Sequence, residues 1–131
     1  MTFVDSSYWI ARLLPRDRRH AEAVELESRH RGAVVTSTAV VGETWTFLRS
    51  RTDHTRAMAW VDRLRAATGT RVECIDVALE DEAWGWLRVH DERPYSFVDA
   101  TSFALMRKLR ITDALAFDGD FAAAGFTELR P

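Results

Sequence analysis

Short apolar segments alternate with longer amphipathic ones along the whole chain, and this alternation predicts its elements. Five segments rich in Val, Ile, Phe or Thr are bounded by turn or capping residues, which is typical of short strands. These predicted strands are Thr2–Val4, Ala33–Thr36, Val72–Ile75, Ile111–Phe117 and Thr127–Leu129. Helix-length stretches lie between most of them. Such spacing predicts parallel βαβ units and therefore an α/β fold, an open and mostly parallel sheet of four or five strands with helices on both faces.

Capping residues and helix breakers set the predicted helix boundaries. Pro15 ends the first helix, Gly32 closes the second, and Ser96 with Asp99 has the spacing of a capping box. The predicted helices run from Ser6 to Leu14, from the cap Asp17 to Arg31, from Thr38 to Arg51, from Thr52 or Asp53 to Ala67, from the cap Asp76 to His90, from Ser96 to Leu109 and from Gly119 to Ala124.

Length and composition favour one ordinary globular domain over residues 1–131. Charged residues make up 29% of the chain and hydrophobic ones 47%, which argues against disorder. No apolar run approaches the roughly 20 residues that span a bilayer, and no signal peptide is recognisable, so we expect a cytoplasmic protein. Cys74, the only cysteine, cannot form an intramolecular disulfide. It is expected to be a small core residue in the third strand.

The charge pattern gives no overall attraction to nucleic acid. The formal net charge is −2, so RNA or DNA would have to bind local patches. All basic residues except Lys108 are arginines, whose planar guanidinium suits phosphate oxygens. Solvated helix faces are the alternative explanation of these clusters. They are Arg16/Arg18/Arg19, Arg29/Arg31, Arg49/Arg51/Arg56, Arg63/Arg65 and Arg107/Lys108/Arg110.

Four acidic residues lie at the edges of apolar segments. Asp5 and Asp118 each follow a predicted strand, and in parallel sheets the binding site lies beyond the carboxyl ends of the strands. Asp99, in the first turn of its helix, flanks the apolar stripe, and Glu43 flanks the buried face of another helix. Carboxylates are rarely buried without a partner, so a shared hard cation is one explanation.

Each acid also has a purely structural explanation. Asp5 and Asp118 can cap helices, Asp99 can be half of a capping box, and Glu43 can be the rim of an amphipathic stripe. Asp76 also ends a predicted strand, but no second feature supports it, so we interpret it as a cap. Without a cation, four clustered carboxylates would repel one another and raise some pKa values, so Mg²⁺ or Mn²⁺ should stabilise the fold.

These acids lie in short motifs that together resemble a known family. The motifs are Val4-Asp5-Ser6-Ser7, Glu43 on the helix after the second strand, Phe97-Val98-Asp99-Ala100, and Ala116-Phe117-Asp118-Gly119-Asp120-Phe121. In this order and length they resemble the PIN-domain nucleases, and within them a VapC-type toxin of bacterial toxin–antitoxin pairs. Each motif alone is weak, whereas the ordered set covers nearly the whole chain.

The resemblance implies a PIN-like fold and an endoribonuclease that hydrolyses phosphodiester bonds with Mg²⁺ or Mn²⁺. Asp5, Glu43, Asp99 and Asp118 would form the acidic quartet around the metal. We expect Asp5 and Asp99 as the direct ligands, with Asp118 and Glu43 completing the metal site or positioning water. Asp120 and Ser6 are candidates for the outer shell. Two positions depart from the family pattern: Ala116 stands where many members have Thr or Ser, and Asp120 where many have His.

The resemblance also implies partners: an RNA substrate, a cognate antitoxin that covers the site with a basic side chain, and a homodimer or toxin–antitoxin hetero-oligomer. No membrane partner is expected. Tryptophan is common at interface hot spots, so Trp9, Trp45 and Trp60 could serve a partner surface, although core packing is the simpler explanation. Trp86 is expected in the core, with Trp84 at the edge of its stripe. The four histidines, on charged helical stretches, are expected at the surface: His20, His30, His54 and His90.

Two other classes of function compete with the nuclease. A non-catalytic PIN-like module would only hold an antitoxin or RNA, but it has no physical need to keep four repelling acids. A phosphoryl-transfer enzyme or receiver domain would use one strand-end aspartate. Asp5-Ser6-Ser7 lacks the second aspartate of dehalogenase-like phosphatases, and Lys108 lies within a helix, where a receiver could not use it.

Overall fold

Five parallel strands form one open sheet in the computed structural model, which describes residues 1–131. The strands are β1 (Thr2–Val4), β2 (Val34–Ser37), β3 (Thr70–Glu73), β4 (Asp113–Leu115) and β5 (Thr127–Glu128), in the spatial order β3-β2-β1-β4-β5. Seven helices connect them: α1 (Ser6–Leu13), α2 (His20–Arg29), α3 (Thr38–Arg51), α4 (His54–Ala66), α5 (Val77–Val89), α6 (Phe97–Leu109) and α7 (Asp120–Ala123). The predicted α/β fold is confirmed.

The sheet order places two acid-bearing segments side by side. β1 is the central strand and pairs with β4, with Val4 opposite Leu115. The backbone N–H of Asp5 donates to the carbonyl of Leu115 at 3.0 Å and so extends this pairing by one residue. The carboxyl ends of β1 and β4 are therefore adjacent, and the residues after them share one edge of the sheet.

Buried side chains lie on both faces of the sheet. Phe3, on one face of β1, belongs to a cluster with Phe103 of α6 and Phe121 of α7. Val4, on the other face, packs with Tyr8 of α1 and other residues of α1 and α2. Successive residues of a strand point to opposite faces, so a strand this short can anchor helices on each side only if both faces are apolar.

The third strand lies two residues earlier than its sequence pattern indicated. Thr70–Glu73 pairs residue by residue with Val34–Ser37 and ends where β2 ends. Cys74 therefore falls outside the strand and is exposed, so the prediction of a core cysteine is wrong. The fourth strand is also shorter than predicted, ending at Leu115, which leaves Asp118 three residues beyond it.

Several predictions for single residues need correction. The carboxylate of Asp17 accepts from the backbone of Arg19 in a turn, and α2 starts only at His20 without a side-chain cap. Three of the four histidines are half-buried, with His20 and His30 held by hydrogen bonds and His90 stacked on Trp86. Only His54 is exposed.

The tryptophans are divided between interior and surface. Trp60 is 5% exposed and belongs to a core cluster under α3 and α4, so it cannot serve a partner surface. Trp9 packs against all three core clusters, whereas Trp45 is half-buried and lines a groove beside β3. Trp86 is half-buried against the core, and Trp84 is exposed with its ring stacked on Phe97. No helix is long and apolar enough to cross a membrane.

Candidate active site

Asp5 lies at the end of the central strand, with only 1% of its surface exposed. Its Oδ2 accepts hydrogen bonds from the backbone N–H of Ser7 at 3.2 Å and from the Ser7 hydroxyl at 2.6 Å. As the N-cap of α1, it fulfils the local role expected of a strand-end aspartate. Burial raises the pKa of Asp5 to about 7, and the negative charge of Asp118 acts in the same direction.

Ser7 connects Asp5 to the neighbouring strand segment. While donating to Asp5, its hydroxyl oxygen also accepts from the backbone N–H of Phe117 at 3.0 Å. The hydroxyl thus holds the chain after β4 against the carboxyl end of β1. The sequence signal for this contact is only the spacing Asp5-Ser6-Ser7, which fits an ordinary cap equally well.

Asp99 enters the site from the first turn of α6. The predicted capping box is present: the Ser96 hydroxyl accepts from the backbone N–H of Asp99 at 2.9 Å, and Oδ2 of Asp99 accepts from the backbone N–H of Ser96 at 3.0 Å. Asp99 is buried, and burial raises its pKa to about 6, with a smaller contribution from the charge of Asp118. The helix end that it caps faces the edge of the sheet where Asp5 lies.

Asp118 and Asp120 complete a cluster of three carboxylates. One oxygen from each of Asp99, Asp118 and Asp120 lies within 4.8 Å of the other two. Oδ1 of Asp118 accepts from the backbone N–H of Asp120 at 3.1 Å. Although Asp118 is exposed as a residue, neighbouring atoms partly desolvate its carboxyl and raise the pKa.

Glu43 lies at the rim of this cluster. It is exposed on α3, and its Oε2 accepts from the hydroxyl of Ser6 at 2.8 Å. Since Ser6 directly follows Asp5, this bond ties Glu43 to the edge of the sheet without bringing it into the three-carboxylate cluster. Both residues also line a groove of about 780 Å³ between α1, α3 and the start of α6.

The five acids at this site have their carboxylate oxygens arranged in the same way; they are Asp5, Glu43, Asp99, Asp118 and Asp120. In each, one oxygen accepts a hydrogen bond from the protein, and the protein offers no donor to the other. Asp5, Glu43, Asp99 and Asp118 take part in no ion pair. The structure therefore combines fixed carboxylates with open oxygens and little positive charge, an arrangement that attracts a cation.

Two residues at this site were not foreseen from the sequence. Arg93, in the loop before α6, pairs with Asp120. Glu128 of β5, whose side chain is 5% exposed, accepts from the backbone N–H groups of Gly119 at 3.1 Å and Ala122 at 3.4 Å. Glu128 thus accepts from N–H groups at the start of α7 alongside Asp118, which accepts from Asp120. The N-cap position that the sequence pattern had suggested for Asp118 belongs to Gly119.

A comparison with family models adds a decisive observation: the model of the PIN domain matches residues 2–127. The chain belongs to the PIN-domain family. Among curated proteins it is similar to the 23S rRNA-specific endonuclease VapC20 of Mycobacterium tuberculosis, from strains CDC 1551 / Oshkosh and ATCC 25618 / H37Rv. Each is 53% identical over 131 residues, which is 100% of this chain and 99% of the relative.

Solved structures agree with this relationship. The crystal structure of Mycobacterium tuberculosis VapC20, described as a sarcin–ricin loop cleaving toxin, superposes with a TM-score of 0.95 at 51% identity, covering 100% of both chains. FitAcB from Neisseria gonorrhoeae shares the fold with a TM-score of 0.66 at 16% identity, over 98% of this chain and 96% of the other. The predictions of a PIN-like fold and of an endoribonuclease of the VapC toxin type are confirmed.

Proposed function

We propose that the protein is a Mg²⁺- or Mn²⁺-dependent endoribonuclease whose substrate is the sarcin–ricin loop of 23S rRNA. The observation that carries the proposal is the set of site acids at one edge of the sheet, each with one hydrogen-bonded and one open oxygen. The chain that carries them is 53% identical to a 23S rRNA-specific endonuclease. A cytoplasmic location fits this substrate, because ribosomes are there.

The donor set fits a hard divalent ion. All candidate ligand atoms are carboxylate oxygens, and the cluster contains no cysteine or histidine, which suits Mg²⁺ or Mn²⁺ better than Zn²⁺. Asp99 and Asp118, from the three-carboxylate cluster, would hold the ion through their open oxygens. Asp5 lies outside that cluster but close enough for the charges of Asp118 and Asp99 to raise its pKa, and would be the third ligand. A divalent ion there would polarise a phosphate oxygen and activate water for hydrolysis of the phosphodiester bond.

Glu43 is assigned a different task from the other three acids. It is exposed and lies outside the three-carboxylate cluster, and the hydroxyl of Ser6 donates to one of its oxygens at 2.8 Å, which leaves the other oxygen without a protein donor. We assign it to orienting the attacking water. Ser6 is then a positioning residue that acts through Glu43.

RNA must approach an acidic site along its basic surroundings. Arg49 and Arg51 are exposed at the end of α3, the helix that carries Glu43, and the guanidinium of Arg51 lies 4.6 Å from the ring centre of Phe47. Phe47 lines the groove beside Glu43. These arginines would hold phosphates flanking the scissile bond, and an unpaired loop would enter the groove more easily than a duplex.

The site also suits a protein inhibitor, since a basic side chain could satisfy several open carboxylate oxygens at once. We propose a cognate antitoxin that inserts such a side chain, and a toxin homodimer within the complex. Light scattering of the isolated protein and of the complex would measure both stoichiometries.

Cleavage of an RNA hairpin that carries the sarcin–ricin loop tests the function. With Mg²⁺ or Mn²⁺ the wild type should cut the hairpin at one position, and EDTA should abolish cleavage. Asp99→Asn should lose activity while keeping its cap, because an amide oxygen can accept from Ser96. Asp62→Asn, which changes an exposed acid of α4, is the matched control and should cut normally.

Two results would contradict the proposal. Cleavage in EDTA would remove the metal from the mechanism. Metal binding without cleavage of the hairpin or of ribosomes would favour the non-catalytic module that holds an antitoxin or RNA.

A further inference from the structure

Arg93 is the one basic residue paired with an acid of the cluster. Its Nε and Nη2 donate to Oδ1 of Asp120 at 3.0 and 2.9 Å, and Nη2 lies 3.5 Å from the backbone carbonyl of Asp118. Both nitrogens thus converge on a single carboxylate oxygen. Hydrogen bonds between a guanidinium and a carboxylate are among the strongest that side chains make, so the pair holds both partners in place.

The local backbone fixes the position of this guanidinium. Arg93 precedes Pro94, which restricts Arg93 to extended conformations, and its carbonyl accepts from the backbone N–H of Tyr95 at 2.8 Å. On the opposite side, the guanidinium lies beside Gly119, whose φ of +84° favours glycine, and Nη2 of Arg93 is 3.5 Å from where a Cβ would lie, an ordinary van der Waals distance.

One end of the guanidinium has no partner. Nη1 makes no hydrogen bond within the protein, and 40% of the Arg93 side chain is exposed, against 18% of Asp120. A planar guanidinium can bind a carboxylate with one edge and a phosphate with another. A half-exposed guanidinium with a free Nη1 therefore lies beside the cluster where the scissile phosphate has to be held.

The geometry points to Arg93 as a substrate-binding residue that contacts a phosphate at the scissile bond, with Asp120 as its anchor instead of a metal ligand. This inference rests on the proposed function, because it needs RNA to be cut at the acid cluster. It accounts for an otherwise unfavourable feature, since a site of five carboxylates repels a phosphate unless a cation meets it. It also gives Asp120 a role outside the metal shell, despite its position within 4.8 Å of Asp99 and Asp118 oxygens.

The test compares RNA recognition with metal affinity in the same variants. Cleavage of the sarcin–ricin hairpin gives KM, kcat and the dependence of KM on salt, and electron paramagnetic resonance of Mn²⁺ gives metal affinity without RNA. Arg93→Gln should raise KM roughly tenfold or more, as expected for one charged hydrogen-bonding contact. It should also lower the salt slope by about 0.7 to 0.9, the loss of one phosphate contact. Its Mn²⁺ affinity should stay the same or rise, because a positive charge has left the site.

Further variants separate the anchor from the contact. Arg93→Lys should keep the wild-type salt slope but recover KM only in part, since an ammonium cannot bind two partners with a planar fork. Asp120→Ala removes the oxygen that anchors Arg93 and should raise KM as Arg93→Gln does. Asp120→Asn keeps an oxygen for Arg93 and should reduce Mn²⁺ affinity far less than Asp118→Asn. Arg29→Gln removes an arginine from a surface pair with Glu25 and should behave as wild type.

Two results would overturn the inference while the wild type still cuts the hairpin. Unchanged KM and salt slope in Arg93→Gln would show that Arg93 does not contact the RNA. Loss of Mn²⁺ affinity in Asp120→Asn equal to that in Asp118→Asn would place Asp120 in the metal shell. Failure of the wild type to cut the hairpin would instead contradict the proposed function itself.

Discussion

Ionisation of Asp5 should measurably lower the folding stability of the metal-free protein. The residue is 1% exposed, and burial, followed by the charge of Asp118, raises its pKa from 3.8 to about 7. Between these values the folded state keeps a proton that the unfolded state has lost. The contribution of Asp5 to folding stability is therefore fully present below about pH 4 and is lost as the pH rises through 7.

The size of this loss follows from the shift. A difference of roughly three pKa units corresponds to about 4 kcal/mol at pH 8, where Asp5 is ionised in both states, and about 1.7 kcal/mol of it is already lost at pH 5. Asp5→Asn removes the titration but keeps an oxygen that accepts from Ser7. Its free energy of unfolding, relative to wild type, should therefore rise by about 2.5 kcal/mol between pH 5 and pH 8.

Urea unfolding in EDTA at pH 5 and pH 8 measures this difference. Asp62→Asn is the control, because Asp62 is exposed and forms no ion pair, so its difference from wild type should be the same at both pH values. An Asp5→Asn difference that does not change with pH would show that Asp5 is not desolvated in the folded state, and the explanation of the site as uncompensated buried charge would fail.

Two further predictions concern the same site. Mg²⁺ at about 100 times its Kd should raise the free energy of unfolding by about 2.7 kcal/mol at pH 8 and by less at pH 5, where protons compete for the carboxylates. Differential scanning calorimetry would detect this stabilisation. If Mg²⁺ stabilised Asp99→Asn as much as the wild type, Asp99 would be excluded from the site. Ser7→Ala should lower the free energy of unfolding by about 1 to 3 kcal/mol, because it leaves the buried N–H of Phe117 without its acceptor. Urea unfolding would measure this loss, with Ser28→Ala, which removes a surface hydroxyl, as the control. Equal stabilities of the two variants would contradict the bridging role of Ser7.

The fold was predictable because local patterns and chain topology agree. Apolar segments separated by amphipathic helices leave a parallel sheet as the simple solution, and that sheet places the residues after β1 and β4 together. The edge strand was less predictable. Its bounds, Thr70–Glu73, are set by pairing with β2, and Arg71 is exposed, so no apolar pattern marks where the strand begins. Exposure of Cys74 follows from that register.

The missed residues depend on contacts between distant segments. Arg93 and Asp120 are 27 positions apart, and neither lies in a repeating pattern that would reveal the pair. Glu128 reaches α7 from the edge strand β5, whereas its place in the sequence resembles that of any strand residue. Contacts of this kind can be identified only from a three-dimensional structure, because they depend on where the loops lie. The acids after β1 and β4 were found because topology alone places them.

Helix capping and metal binding are compatible roles for these aspartates. A carboxylate has two oxygens, and in Asp5 and Asp99 one caps a helix while the other has no protein donor. The cap fixes the rotamer, so little side-chain entropy is lost when a cation binds the second oxygen. An Asp→Glu change at either position keeps the charge but moves both oxygens by a methylene group. It should therefore disturb the helix end and the proposed metal site together, whereas Asp→Asn removes the charge and spares the cap.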